Sequence, residues 1–180
     1  MSILEVVFLA IFWTWILSAI LFLRNTVLPR MPLAITPAAI QLPFEAVTFK
    51  ATDGVMLGGW KIPSGTDGPW VVLCHGVGSN RADLLETAGA LHRAGFGVFL
   101  FDFRGHGDSR GRTTSFGWTE QRDLEGALAY LGQQPEVPAR PYGLYGISMG
   151  GSVGLMVAAR DERIGAVAAD SPYTTLEETL

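Results

Sequence analysis

From Trp70 onward, short and nearly continuous apolar runs alternate with stretches of helical period. This alternation constrains the fold more than any other feature of the 180-residue chain. Trp70 to Cys74, Gly97 to Phe103, Tyr142 to Ile147 and Ala166 to Ala169 read as strands. A strand with one wet face alternates polar and apolar residues, whereas a continuous apolar run belongs to a strand buried on both faces. Between the runs, Leu84, Ala88 and Leu91 recur at i, i+4 and i+7, and Leu124, Leu128 and Leu131 share one face of a helix over 123–131. Met149 to Arg160 reads as a third helix. Strand and helix in strict alternation predict an α/β fold, a mainly parallel sheet with helices on both faces. Upstream, Ala46 to Ala51 and Val55 to Ile62 flank Thr52-Asp53-Gly54 as a hairpin would.

Gly146-Ile-Ser148-Met-Gly150 falls between a strand and a helix. A serine in a sharp turn at that junction has its hydroxyl lifted above the sheet, at the positive end of the helix dipole. The turn needs small residues two positions either side, because a Cβ there would meet the neighbouring strand and helix. Ser148 is therefore the candidate nucleophile. In such an arrangement an oxyanion is held by the N–H of the next residue, Met149, and by one N–H from the loop after an earlier strand. His75-Gly76-Val77 ends that strand, so Val77 is the second candidate donor, with Gly76 allowing close approach. No cofactor and no metal site is implied. Cys74 stands alone in an apolar run and reads as a small buried hydrophobe.

The N-terminal part has a different character. Val6 to Leu23 is apolar apart from Thr14 and Ser18 and carries no charge, which predicts a transmembrane anchor over residues 1–24 and a lipid bilayer as partner through residues 6–23. A cleaved signal peptide would have a positive start and a shorter core. Residues 25–43 hold Pro29, Pro32, Pro37 and Pro43 and read as an extended linker, with the globular domain over 44–180. Arg24 and Arg30 follow the apolar run and place that domain in the cytoplasm by the positive-inside rule. With a net charge of −4 and no basic stripe, the chain is not expected to bind nucleic acid.

Phe101-Asp-Phe-Arg-Gly-His-Gly-Asp-Ser109 matches D-x-R-G-x-G-x-S, the loop that follows the fourth strand in the α/β-hydrolase superfamily. Together with His75-Gly76 before it and Gly146 to Gly150 after it, in that order and spacing, it makes residues 44–180 resemble that superfamily. Within it the chain is similar to membrane-associated serine hydrolases of the BEM-like and serine aminopeptidase-like type, as Ala169-Asp-Ser-Pro-Tyr173 also suggests. The resemblance implies an acyl-enzyme mechanism on a small acyl substrate, an ester, thioester or amide.

The sequence departs from the superfamily pattern in its triad, which runs serine, acid, histidine along the chain. His75, His92 and His106 all precede Ser148. His75 is assigned to the oxyanion turn, His92 to an exposed helix position and His106 to the Arg104 to Ser109 loop. Asp170, at the end of the sixth strand, is the candidate acid within the chain. The expectation is that the fold is incomplete at the C-terminus and that two further strand-helix units supply acid and base. The alternative is a non-catalytic hydrolase-like membrane module lacking the triad histidine. A dinucleotide-binding domain is a third class, but no G-x-G-x-x-G follows any strand.

Overall fold

The computed structural model describes residues 3–25, 30–65, 67–138 and 141–174. The runs read as strands lie side by side in one sheet: β1 (Glu45–Lys50), β2 (Met56–Ile62), β3 (Trp70–Cys74), β4 (Gly97–Phe101), β5 (Tyr142–Ile147) and β6 (Ile164–Asp170). Their order is β1-β2-β4-β3-β5-β6. β1 and β2 form the expected hairpin, β2 runs antiparallel to β4, and the remaining neighbours are parallel. Every residue of β3 and β4 is buried, which is why neither run alternates in the sequence.

Three helices cover the sheet, α2 (Leu85–Arg93), α3 (Glu120–Leu131) and α4 (Met149–Ala158), while α1 (Ile3–Asn25) precedes it. Successive strand residues point to opposite faces. Phe99 and Phe101 of β4 accordingly join Leu124, Leu128 and Val153 under α3 and α4, and Val98 and Leu100 join Leu84 and Ala88 under α2. Each such side chain removed from water contributes about 1.5–3 kcal/mol, so the two layers rather than any single contact hold the sheet flanked.

Some expected boundaries shift. The strand expected over Gly97 to Phe103 ends at Phe101, because Asp102 turns to accept from the Arg81 N–H at 2.8 Å and the Phe103 N–H donates to His75 Nε2 at 3.0 Å. α3 begins one turn before the expected Asp123, at Glu120. Among the described residues β6 pairs with β5 alone, and Gly165, Ala166, Ala168 and Asp170 are exposed.

The N-terminal apolar run does form a helix, α1, whose side chains are described for residues 5–18. Among the described residues no helix is long and apolar enough to cross a membrane, so the expected transmembrane anchor is not supported as part of the fold. Residues 26–29 and 175–180 of the expected linker and domain lie outside the described residues. Nor is the rest of the linker a free tether. Arg30 donates to the carbonyls of Ser109 at 2.6 Å, Gly107 at 3.3 Å and Gly111. Asn80 Nδ2 donates to the Met31 and Pro32 carbonyls at 3.2 and 3.3 Å. Pro37 and Leu42 are buried against the domain. Residues 30–43 thus belong to the globular unit that was expected to start at 44.

Candidate active site

Ser148 stands between β5 and α4 with φ 50° and ψ −116°, a region that side-chain-bearing residues avoid. Holding it there costs about 1–3 kcal/mol, which the surroundings must over-determine. The Ser148 N–H donates to the Asp170 carbonyl at 2.8 Å, and its own carbonyl accepts from Ser152 N–H at 3.0 Å as the first bond of α4. A Cβ on Gly146 would lie 2.5 Å from the Gly150 carbonyl carbon. One on Gly150 would lie 2.7 Å from His75 O and closer still to Cys74 O. Both clashes are with backbone, so only glycine fits this elbow. Ser148 is half-buried, and its hydroxyl makes no hydrogen bond among the described residues.

The loop after β3 comes up against the serine. A Cβ on Gly76 would lie 3.6 Å from both Ser148 Cβ and Ile147 O, which is ordinary van der Waals contact. Two histidines brace this loop against the loop after β4. Fully buried His75 accepts the Phe103 N–H at Nε2, so its Nδ1–H donates to Gly76 O at 2.7 Å. His106 Nε2 accepts the Gly78 N–H at 3.1 Å, and its Nδ1–H donates to Arg104 O at 2.9 Å. Both rings are thereby fixed as neutral tautomers, and burial holds the His75 pKa down to about 3. The amide groups of Val77 and Met149 donate to no carbonyl or side chain among the described residues.

The D-x-R-G-x-G-x-S loop is a polar girder for this arrangement. Buried Asp102 pairs with Arg81 and accepts the Asp108 N–H at 2.9 Å. Burial pushes its carboxyl up while Arg81 opposes the shift. Arg104 reaches Asp123 through Nε at 2.9 Å and Nη2 at 2.7 Å, and grips Asp53 of the hairpin turn with Nη1 and Nη2 at 2.8 and 2.9 Å. Ser109 Oγ donates to Asp102 O at 2.5 Å and accepts the Gly58 N–H at 3.0 Å. The motif residues hold the loop; none of them points its chemistry at Ser148.

Two residues near the site were not singled out from the sequence. Glu120, fully buried, accepts from Thr114 Oγ1 and Ser115 N–H through one oxygen, at 3.0 Å each. Its other oxygen accepts from Ser115 Oγ at 2.7 Å and Gly117 N–H at 2.9 Å. Burial alone would push this carboxyl up, but the donors from Ser115 and Gly117 outweigh it and hold it below the usual glutamate value. Thr114 Oγ1 in turn lies 3.6 Å from Met149 Sδ. Ser152, one turn below Ser148, exchanges hydrogen bonds with both backbone groups of Tyr173, whose hydroxyl donates to Phe116 O at 2.6 Å. The signal for Glu120 was a carboxylate three residues after Gly117 in a helical first turn, hidden because the apolar period starts only at Leu124.

The structure therefore places Gly76 against Ser148, Gly146 against Gly150 at the turn, and Met149 as the first residue of α4, with Val77 following Gly76 in the loop after β3. It does not bring a base to them. His75 and His106 are engaged through both ring nitrogens, and His92, expected to be exposed, is half-buried on α2 with an Nδ1 that has no partner among the described residues. Asp170 is exposed at the end of β6, where its Oδ1 accepts from Ser171 Oγ at 2.9 Å. Its carbonyl steadies the elbow, and no histidine among the described residues is bonded to its carboxylate.

Residues 68–179 match the family model described as serine aminopeptidase, S33. The chain is 36% identical over 134 residues to the uncharacterized protein Rv2307c of Mycobacterium tuberculosis, covering 73% of this chain and 47% of the relative. It is 32% identical over 133 residues to polyketide transferase ATR5 of Stachybotrys chlorohalonatus, 72% of this chain and 45% of that one. The chain thus spans about half the length of the curated relatives it matches. Among solved structures, the Pyrococcus furiosus esterase superposes with a TM-score of 0.79 at 33% identity, over 84% of this chain and 60% of that one.

Proposed function

The chain belongs to the serine aminopeptidase S33 family of α/β-hydrolases, and from that premise we propose that it is a serine hydrolase acting on an ester, thioester or amide with Ser148 as nucleophile. The observation that carries the proposal is the elbow: a strained serine between two glycines that only glycine can replace, with its hydroxyl unengaged. Ser148 Oγ would attack the acyl carbon and lose its proton to a base. The Val77 and Met149 N–H groups would receive the oxyanion, each such donor being worth about 3 kcal/mol in the transition state. Collapse would expel the leaving group, and water would release the acid from the acyl-enzyme. His75 and His106 are not assigned as that base, because both ring nitrogens of each are already engaged. We further propose that α1 holds the protein at a membrane. Phe8, Trp13 and Trp15 on this helix are exposed. The cytoplasmic placement of the domain then rests on Arg24, since Arg30 is used within the fold.

A second reading follows from the same histidines. With both ring nitrogens of His75 and His106 committed to bracing, the chain would serve as a non-catalytic module of hydrolase fold. A fluorophosphonate probe separates the two. Labelling that disappears in Ser148→Ala supports the nucleophile, and labelling that persists there refutes it. No labelling of the native protein favours the module. Deletion of residues 1–23 should move the protein from the membrane fraction to the soluble one, and an unchanged distribution would remove the anchor.

A further inference from the structure

The chain enters its domain at the end of the sheet that carries Ser148. The parallel strands β3, β4, β5 and β6 run the same way, so the loops after Cys74, Phe101 and Ile147 all hang from one rim. Arg30 is fastened to this rim by the carbonyls of Gly107, Ser109 and Gly111, and Asn80 of the same rim holds the Met31 and Pro32 carbonyls. Asn25 ends α1. The steps from Asn25 to Arg30 cover at most about 18 Å even when fully extended. The six residues of β5 measure about 20 Å along the strand. Covalent reach alone therefore keeps the end of α1 within about 18 Å of Arg30, short of the opposite rim.

The two rims also differ in surface. Met31, Met56 and Trp118 are 52%, 38% and 75% exposed on or beside the Ser148 rim, where Arg110 and Arg112 stand exposed together with Asp53, Asp108 and Asp170. The turns of the opposite rim present Asp67, Arg93, Glu136, Arg160, Glu162 and Arg163, and among the described residues they carry no large exposed apolar side chain. Charged side chains stand on both rims, so the difference lies in the exposed tryptophan and methionines, which suit the boundary between acyl chains and headgroups, whereas charged turns without an apolar side chain suit water.

We propose that the Ser148 rim is the face the protein lays against a lipid surface, with the latch of Arg30 on the loop after β4 setting the orientation, so that acyl groups reach Ser148 from the bilayer. This rests on the reading of α1 as a membrane anchor. The buried thiol of Cys74, pushed up by burial, is inert to labelling, so single cysteines can be introduced at the surface. The full chain carrying Thr113→Cys (Ser148 rim) or Glu162→Cys (opposite rim), each with a fluorophore, is incorporated into vesicles of phosphatidylcholine and phosphatidylglycerol containing nitroxide-labelled lipid. The expected result is strong quenching at position 113 and none at 162, with the quenching at 113 lost in Arg30→Ala although the protein still sediments with the vesicles. Equal quenching at both positions, or quenching at 162 alone, overturns the orientation and leaves the anchor standing. Quenching at 113 that survives Arg30→Ala overturns the latch. A full chain that does not sediment with the vesicles overturns the anchor and this proposal with it.

Discussion

Replacing Glu120 by glutamine should cost the domain about 2–3 kcal/mol, although the two side chains have the same shape. Each carboxylate oxygen of Glu120 accepts one backbone N–H, from Ser115 on one side and Gly117 on the other. The amide of glutamine has only one oxygen. Whichever way it turns, its nitrogen faces a backbone N–H, and a donor left without an acceptor at a buried position costs about 1–3 kcal/mol. The lost charge on the remaining hydrogen bonds adds to this. For a domain of this size about 2–3 kcal/mol lowers Tm by roughly 6–9 °C. The effect must depend on pH. The native Glu120 pKa lies below its ordinary 4.5, so its contribution is complete above that value and is lost as pH falls through the lower native pKa. Thermal melts of the wild type and Glu120→Gln, followed by circular dichroism, should differ most at neutral pH and converge on acidification. Equal Tm values at neutral pH, or a gap that widens in acid, would refute the reasoning.

Gly150→Ala should destabilise the domain by roughly 1–3 kcal/mol and abolish probe labelling, because the added methyl meets the His75 and Cys74 carbonyls rather than a side chain that can swing away. A denaturant melt matching the wild type would contradict the close approach. Cys74, fully buried with its thiol pushed up by burial, should resist iodoacetamide in the native protein and react once urea unfolds it. Prompt native alkylation would mean that β3 is not the sealed inner strand described.

Most of the sheet could be read from the chain, because burial on both faces leaves a direct mark on composition. β3 and β4 carry that mark on every residue, and the elbow announced itself through two glycines whose need is steric. What escaped the reading depends on partners far along the chain. The ring nitrogens of His75 and His106 are spoken for by Phe103 and Gly78, an engagement that no local pattern records. Arg30 looked like a charge flanking an apolar run and is instead a three-carbonyl clamp some 77 residues from its first partner. Prolines suggested a tether, yet the side chains of Pro37 and Leu42 found an apolar face to cover. Glu120 was passed over because its value lies in donors before the helix rather than in the helix itself.

The bond from Ser148 N–H to the Asp170 carbonyl ties the reactive geometry to the order in which the chain folds. β5 and the turn are made before β6, so a nascent chain that has reached only α4 carries the serine without the carbonyl that helps fix its left-handed backbone. The elbow closes when the last residue of β6 pairs beside Ile147. Whenever β6 is not paired with β5, Ser148 lacks that restraint, so competent serine geometry depends on the docking of β6.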